Sequence, residues 1–279
     1  MRSERERASG SDIRAYNKLP KNIDILTYSF PCQDLSQQGK QRGLEKNTRS
    51  GLLFEIERIL KLNINNLPKV LLLENVKALT TSKFIAQFND WIKTLESFGY
   101  TSSWKVINSS DFNSAQNRER VFMVSILGDK KFVFPDGVGS NNKLVKDIWQ
   151  VDKSHQKFKL NENQFLDAFK LTKSKIKKSF INNYTKFNSE NYIYSLDSKG
   201  PTLTASGANS RLKFFVNGEI EIMSPLESYL YMGFDEADYE NVKKTNLVSD
   251  NKIIFTAGNS ISVEVLQAIF KKIIEEKIV

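Results

Sequence analysis

The sequence predicts an α/β protein built on a doubly wound (Rossmann-like) sheet, with a second, smaller domain. Three observations lead to this class. Short apolar segments alternate with amphipathic helical segments through the first 127 residues, and this alternation is typical of a doubly wound sheet. Residues 69–73 form a nearly continuous apolar run, as in a strand buried on both faces. After residue 128 the sequence becomes basic and weakly periodic, which indicates a separate domain.

The elements of the first half follow from composition and spacing. β-branched, aromatic and apolar content predicts strands over 21–28, 69–73, 101–108 and 121–126. Apolar residues at helical spacing predict helices over 50–62 and 84–98, the second closed by Gly99. Residues 34–49 form a polar, glycine-containing loop of the kind that often carries function. We expect the strands to be parallel, so that the groups at their ends meet along one edge of the sheet.

The second half gives fewer signals. Residues 132–199 are rich in Lys, Asn, Ser and Phe, and they predict a small basic domain without revealing its internal structure. Ser224, Pro225 and Glu227 have the pattern of a helix start, with an N-cap, a proline in the first turn and a capping box. We expect a strand over 252–255 and a last helix that opens at Gly258-Asn259-Ser260.

Composition limits the possible functions. The 279 residues carry a net charge of +9 and are 40% apolar, which suits a folded protein with a polyanionic partner such as nucleic acid. One cysteine and one histidine, His155, exclude an internal disulfide and argue against a Cys/His metal site, so no metal is expected. The chain shows no signal-peptide pattern and no 18-residue apolar run, so we expect a cytoplasmic protein that does not enter a membrane.

Four short groups carry chemically useful side chains: Pro31-Cys32-Gln33, Glu74-Asn75-Val76, Gln116-Asn117-Arg118-Glu119-Arg120 and Gly258-Asn259-Ser260. A thiol at the carboxyl end of a strand lies where open α/β sheets bind their ligands. Taken alone, a single cysteine is more often a small buried hydrophobic residue than a nucleophile. The alternative for Arg118 and Arg120 is a surface ion pair with Glu119. A basic nucleic-acid-binding protein with a structural cysteine would explain the charge, but not the position of all these groups at strand ends.

The ordered set resembles the cytosine-C5 DNA methyltransferases. Pro-Cys-Gln, Glu-Asn-Val, Gln-x-Arg-x-Arg and the closing Gly-Asn-Ser occur in the order of that family, and the similarity extends from about residue 19 to the C-terminus. Residues 27–36 and 201–211 are most similar to bacterial enzymes specific for the CG dinucleotide. The resemblance implies a methyltransferase sheet with a smaller target-recognition domain.

The resemblance also implies a role for each catalytic residue. Cys32 would add to C6 of a cytosine, and Glu74 would hydrogen-bond N3 and the exocyclic amine. Arg120 would bind the cytosine O2, and Arg118 would brace the thiolate loop or a phosphate. The methyl donor would be S-adenosylmethionine, contacted by Phe30, Pro31, Asn259 and Ser260.

Double-stranded DNA is the implied partner, because a base must leave the duplex to reach such a site. Residues 34–43 resemble the family's mobile catalytic loop, in which Ser36 would contact a phosphate and Gln38 would enter the space left by the flipped base. Residues 128–240 would form the target-recognition domain. Its candidate DNA contacts are Thr204, Ser206, Asn209 and Arg211.

The sequence departs from the family at its start. The Phe-x-Gly-x-Gly loop that cradles the methionine part of the cofactor does not occur in these residues, so we expect an N-terminally incomplete sheet. The predicted organisation is a flexible tail over 1–18, a partial catalytic domain over 19–127 and a C-terminal segment over 241–279 that returns to it. Three interpretations stay open: a subunit of a split enzyme completed by a second polypeptide, a truncated inactive form, or a DNA-binding remnant.

Overall fold

A computed structural model describes residues 12–30, 52–138, 143–151 and 153–279. The chain divides into two compact units. Unit 1 contains the chain up to Val106 together with Arg120–Phe134 and Lys272–Val279, and unit 2 contains Ile107–Glu119 and Pro135–Lys271. Each unit has its own sheet.

Four described strands form the sheet of unit 1: β1 (Ile25–Tyr28), β2 (Val70–Val76), β3 (Tyr100–Asn108) and β4 (Glu119–Leu127). Their order is β1-β2-β4-β3. β1 runs parallel to β2, but β2 and β4 are antiparallel. The expectation of an all-parallel sheet was therefore wrong. The direction in which a strand runs cannot be read from its pattern of apolar residues.

The antiparallel pairing still brings Glu74 and Arg120 to one edge of the sheet. Gln116–Arg120 precedes or begins β4, whereas we had expected it to follow a strand. Because β4 runs opposite to β2, the start of β4 lies beside the end of β2, and Arg120 pairs with Val76. The two errors, in strand direction and in strand end, cancel.

Two helices of unit 1 bury one face each against this sheet. α1 (Leu53–Leu62) contributes Leu53, Ile56 and Leu60, and α2 (Ile85–Ser97) contributes Phe88, Trp91 and Leu95. They share a core with Leu71 and Leu73 of β2 and with Val121 and Met123 of β4. Burial of each such side chain stabilises the fold by about 1.5–3 kcal/mol. Gly99, with φ of 87°, follows α2 in the left-handed conformation expected for a residue that closes a helix.

Residues 12–17 lie against α1. Arg58 donates to the carbonyl oxygens of Ile13, at 3.2 Å, and Tyr16, at 2.8 Å, and to the side chain of Asn17. The stretch assigned from sequence to a flexible tail is described only from residue 12 onward, and there one guanidinium ties it to the helix.

Unit 2 contains a seven-stranded sheet within the described residues. Its strands are β5 (Gln156–Phe158), β6 (Phe165–Leu166), β7 (Lys170–Leu171), β8 (Lys177–Asn182), β9 (Tyr192–Ser195), β10 (Lys213–Val216) and β11 (Glu219–Ile222). The order is β5-β11-β10-β9-β8-β6, with β7 also paired to β8. These strands have two to six residues, too few for a period to be read from sequence, which is why the internal structure of this region was not predicted.

Four helices complete the described chain: α3 (Pro225–Tyr231), α4 (Glu236–Lys244), α5 (Asp250–Asn259) and α6 (Val263–Glu275). The predicted start of α3 is confirmed, since the Ser224 side chain accepts from the Glu227 amide and the Glu227 side chain accepts from the Ser224 amide. Glu227 is fully buried and also bonds His155 Nε2 at 2.7 Å. The His155 ring stacks on Trp149, with centroids 4.5 Å apart, so the single histidine serves the packing of unit 2.

The structure corrects the expected end of the chain. Residues 252–255 were predicted as a strand but lie in α5, and Gly258-Asn259 ends that helix, whereas we had expected it to open the next. The Ser249 side chain caps α5 by accepting from the Lys252 amide, and Ile253 and Ala257 are buried one helical turn apart. A short apolar run fits both periods, and here the cap and the i, i+4 burial favour the helix.

Among the described residues, one stretch is long and apolar enough by composition to cross a membrane. It is Asp250–Glu275, with mean hydropathy 1.5 over its most apolar window. The stretch is not one helix, because Ser260 has an extended backbone between α5 and α6. Ile253, Val265 and Ile269 are buried within the protein, so core packing accounts for their apolar character.

Candidate active site

Glu74 and Arg120 meet at the edge of the unit 1 sheet. The Arg120 Nε and a Glu74 carboxylate oxygen are 3.3 Å apart, and the side chains are 17% and 12% exposed. The pairing register explains the contact, because Glu74 lies opposite Phe122 and Val76 lies opposite Arg120. Glu74 and Arg120 are thus diagonal neighbours on one face, within reach of long side chains. A carboxylate and a guanidinium are held together where a ligand can still reach them.

The neighbouring residues fasten the end of β1 to this edge. Ser29 donates its hydroxyl to the Glu74 carbonyl at 3.0 Å, and the buried Asn75 donates to the Phe30 carbonyl at 3.1 Å. The other atom of the Asn75 amide accepts from the Val76 backbone at 2.8 Å. The backbone that leads into Pro31 and Cys32 is therefore fixed next to Glu74. Pro31, Cys32, Ser36 and Gln38 lie outside the described residues.

In unit 2, Gln116 and Arg118 hold the peptide groups of Leu203, and we call this pair the Leu203 clamp. Gln116 Oε1 accepts from the Leu203 amide at 2.8 Å, and Arg118 Nη1 donates to the Leu203 carbonyl at 2.8 Å. Gln116 is fully buried and Arg118 is 4% exposed. Two backbone bonds extend the attachment, since the Asn117 amide donates to the Gly200 carbonyl and the Gly200 amide donates to the Ala115 carbonyl, each at 2.9 Å. The clamp fixes the start of the loop that contains Thr204.

Arg118 also reaches the end of α5. Its Nη2 donates to the carbonyl oxygens of Gly258, at 3.2 Å, and Ser260, at 2.9 Å. Gly258 packs on the Thr204–Ala205 peptide so closely that a Cβ atom at this position would lie 2.3 Å from the Thr204 carbonyl carbon. Only glycine allows this approach. Among the described residues, Arg118 thus joins two groups that the sequence had separated, the 201–211 stretch and Gly-Asn-Ser.

The two candidate cofactor residues at the end of α5 differ in exposure. Asn259 is exposed, and its side-chain amide has no hydrogen-bond partner among the described residues. Ser260 is half-buried and donates its hydroxyl to the Ala257 carbonyl at 2.7 Å. In unit 1, the Phe30 side chain is buried in the core, so that only its backbone is placed to meet a ligand.

The candidate DNA contacts of unit 2 share one loop. The Thr204 amide donates to the Asn209 carbonyl at 3.1 Å, and the Thr204 hydroxyl donates to the Ser206 carbonyl at 2.8 Å. Ser206 and Arg211 are exposed. Arg211 also lines a cavity of about 410 Å³ whose walls include the buried Lys213. We call residues 204–211 the contact loop.

Sequence reasoning assigned no role to Ser29, Asn75 or Gln116, although Asn75 and Gln116 belong to the quoted motifs. Each of these side chains bonds a backbone group that lies 45 to 87 positions away along the chain. The available signal was the position of two amide side chains next to candidate catalytic residues in the sequence: Asn75 follows Glu74, and Gln116 lies two positions before Arg118. All three bond backbone groups, and this marks them as positioning residues.

Comparison with known proteins fits this arrangement. The family model for C-5 cytosine-specific DNA methylases matches residues 3–275. The orphan methyltransferase M.SssI of Spiroplasma monobiae is 48% identical over 274 residues, covering 94% of this chain and 69% of that protein. The type II methyltransferase M2.ScrFI of Lactococcus lactis subsp. cremoris is 34% identical, covering 95% and 71%.

A solved structure shows the same fold. The Dnmt2 methyltransferase of S. pombe superposes with a TM-score of 0.64 at 17% identity, covering 96% of this chain and 83% of that one. The predicted α/β methyltransferase fold is thereby confirmed. The family match over nearly the whole length and the identity to M.SssI lead to one conclusion: the chain belongs to the C-5 cytosine-specific DNA methylase family.

Proposed function

We propose that this cytosine-C5 DNA methyltransferase transfers a methyl group from S-adenosylmethionine to a flipped cytosine in CG, through a covalent adduct with Cys32. The observation that carries the proposal is the Glu74–Arg120 pair at the sheet edge, beside the fastened strand end that leads to Cys32. A carboxylate, a guanidinium and a thiol are the groups that activation of C5 requires.

The chemistry assigns one task to each group. C5 of cytosine is a weak nucleophile until a nucleophile adds to C6, and the Cys32 thiolate makes that bond. Glu74 holds the proton that N3 gains as electrons move toward C5. Arg120 donates to O2, where negative charge collects. Loss of the C5 proton after methylation then expels Cys32 and restores the aromatic ring.

The Glu74–Arg120 pair prepares this site before a base arrives. Each group orients the other at 3.3 Å, and both keep part of their surface exposed. A cytosine edge presents an acceptor at O2 and a donor at the exocyclic amine, so it can bond the guanidinium and the carboxylate side by side. Prior orientation reduces the reorganisation that the reaction demands.

The described residues fit the cofactor in part. S-adenosylmethionine, when bound, supplies an electrophilic methyl group. The exposed amide of Asn259, the half-buried hydroxyl of Ser260 and the backbone of Phe30 are suitable polar contacts; Pro31 is assigned to the same site from the resemblance. The glycine-rich loop that would complete the site is not among these 279 residues, so the assay below includes a second polypeptide that carries it.

The charge of unit 2 and the exposure of its contact loop support binding of the duplex DNA substrate by this unit. Between residues 153 and 222 there are twelve basic and six acidic side chains, a surplus that favours phosphate contacts. The contact loop presents Ser206 and Arg211 to solvent, and arginine bonds guanine more often than any other base. We propose that residues 128–240 contain the target-recognition domain, that the protein is cytoplasmic, and that Ser36 and Gln38 contact DNA from the 34–43 loop.

Methylation of duplexes that contain 5-fluorocytosine tests the proposed function. The chain is incubated with S-adenosylmethionine and a CG duplex, alone and with a polypeptide that carries the glycine-rich loop. We expect a covalent protein–DNA adduct that survives denaturation, because fluorine at C5 cannot leave as a proton does. A matched duplex with GC in place of CG should give no adduct. Tight CG binding without an adduct in both arms would instead identify a DNA-binding remnant.

The two neighbouring arginines give opposite predictions for the same substitution. Arg118→Lys leaves buried carbonyl groups short of donors, so we expect the free energy of unfolding to fall by about 2–4 kcal/mol. Arg120→Lys keeps the charge beside Glu74 but loses the planar fork, so we expect stability within about 1 kcal/mol of wild type and methyl transfer slower by about 10²-fold. Urea unfolding and single-turnover rates measure both.

The pair of variants also separates positioning from catalysis. Arg118→Lys should weaken the affinity for a CG duplex, because the contact loop loses its anchor. If Arg118→Lys kept full stability and affinity while Arg120→Lys unfolded the chain, the assigned roles would be reversed.

A further inference from the structure

A basic hairpin in unit 2 belongs to neither the Leu203 clamp nor the contact loop, and the proposed function gives it no role. Residues 170–178, which we call the lysine hairpin, comprise β7, a turn and the start of β8. Five of the nine residues are lysine and none is acidic: Lys170, Lys173, Lys175, Lys177 and Lys178. All except the half-buried Lys178 are exposed.

The arrangement of these lysines opposes folding. Lys170 lies directly opposite Lys178 in the antiparallel pair, and like charges at such positions destabilise a hairpin. Within the described part of the chain, no carboxylate forms an ion pair with any of the five. Lys178 instead lies over the Tyr192 ring, 3.5 Å from its centroid. The other four lysines are exposed and have no carboxylate partner among the described residues, and such a cluster of one sign favours a ligand of the opposite sign.

The backbone of the hairpin is nevertheless fixed. Asn117 donates its side-chain amide to the Ser174 carbonyl at 2.7 Å, and the Lys177 amide donates to the Ser198 hydroxyl at 3.0 Å. The Thr172 hydroxyl oxygen accepts from the Ile176 amide at 3.2 Å. Lys175 has a φ of 58°, which the turn requires. The ammonium groups are therefore presented from a preorganised turn.

The attachment point links the hairpin to the contact loop. Asn117 stands between Gln116 and Arg118, the two residues of the Leu203 clamp, and its carbonyl accepts from the Thr202 hydroxyl at 2.8 Å. One segment of unit 2 therefore anchors both the hairpin turn and the loop with the candidate base contacts. Residues 116–118 therefore fix the position of the lysine hairpin relative to the contact loop, and DNA bound at the contact loop lies near a hairpin held by the same segment.

We propose that the lysine hairpin binds the phosphates of duplex DNA outside the target site. The inference rests on the proposed function only in taking duplex DNA as the substrate. Four to five residues of strand span roughly 13–17 Å, and a duplex carries one negative charge per about 1.7 Å of its axis, so several phosphates lie within reach. A membrane surface would also need an apolar face, and the hairpin exposes a single large apolar side chain, Leu171.

The salt dependence of DNA binding tests the proposal. The variant changes Lys170, Lys173 and Lys177 to glutamine, and it leaves Lys175 in its turn and Lys178 on Tyr192. The control changes Lys61, Lys69 and Lys93 to glutamine, since each of these already pairs with a carboxylate. Both variants lower the net charge by three. Affinity for a duplex without CG is measured without cofactor between 50 and about 300 mM salt.

We expect the slope of log K against log salt to become shallower by about 2–3 in the hairpin variant, because each lost phosphate contact changes it by roughly 0.9. The control should keep the wild-type slope within about 0.5. Equal slopes for the hairpin variant and wild type would overturn the proposal. The same titration with anionic vesicles and with single-stranded RNA distinguishes other anionic ligands, and a change of slope confined to either of them would also overturn the proposal.

The proposed function is tested separately. If the slope changes as expected but no CG adduct forms, the hairpin assignment stands and the catalytic proposal fails. If adducts form at CG and the slope is unchanged, the catalytic proposal stands and the hairpin assignment fails.

Discussion

Replacement of Cys32 by alanine is expected to abolish methyl transfer, with a loss of at least about 10³-fold, the scale seen when a covalent nucleophile is removed. Without addition to C6, C5 of the cytosine stays unreactive however well the base is bound. The same variant should form no adduct with 5-fluorocytosine duplex. Radioactive methyl incorporation and denaturing gels measure the two effects.

A second readout for Cys32 does not depend on methyl transfer. Addition of the thiolate to C6 makes the C5 hydrogen exchangeable with water, so release of tritium from 5-tritiated cytosine reports the attack alone. We expect exchange with the wild-type chain and none with Cys32→Ala, while the affinity for a CG duplex stays within a few-fold. Exchange that persists in the variant would show that another residue is the nucleophile.

Glu74→Gln is expected to slow the reaction by about 10²–10⁴-fold, the usual contribution of a positioned acid or base. Glutamine keeps the size and one hydrogen-bonding oxygen of Glu74, but it cannot hold the proton that N3 gains. The effect should fall on the single-turnover rate, with the affinity for the duplex changed by less than about tenfold.

Two comparisons make the Glu74 result interpretable. Glu74→Asp keeps the charge but shortens the side chain. Its carboxylate would lie farther from Arg120 and from the base, so we expect this variant to lose activity as well. Asn75→Ala should act differently, by releasing the Phe30 carbonyl that Asn75 holds at 3.1 Å, and it should lower stability as well as rate. A Glu74→Gln variant with the wild-type rate of tritium release would remove Glu74 from the mechanism.

Local signals in the sequence predicted those elements whose causes are local. The capping box of α3 uses atoms three residues apart, and it was predicted correctly from Ser224, Pro225 and Glu227. The helix that became α2 was also predicted to within one residue at each end. The strand predicted over 252–255 was wrong, because a run of only four residues is compatible with both the strand period and the helix period. Its helical state depends on burial of Ile253 and Ala257 by distant parts of unit 2.

The sequence by itself determined the family, because ordered motifs survive in the chain whatever the geometry around them. It also predicts which side chains carry out the chemistry, namely Cys32, Glu74 and Arg120, and the variants above test that prediction. Only the tertiary structure decided what the motif residues within the described part of the chain contact. The register of β2 against β4 put Arg120 beside Glu74, while Arg118, two positions earlier, was buried against Leu203 and the end of α5. One ion pair and three hydrogen bonds, between residues 46 to 142 positions apart, decide these roles. No local pattern encodes them, because side-chain type does not specify strand direction or partner.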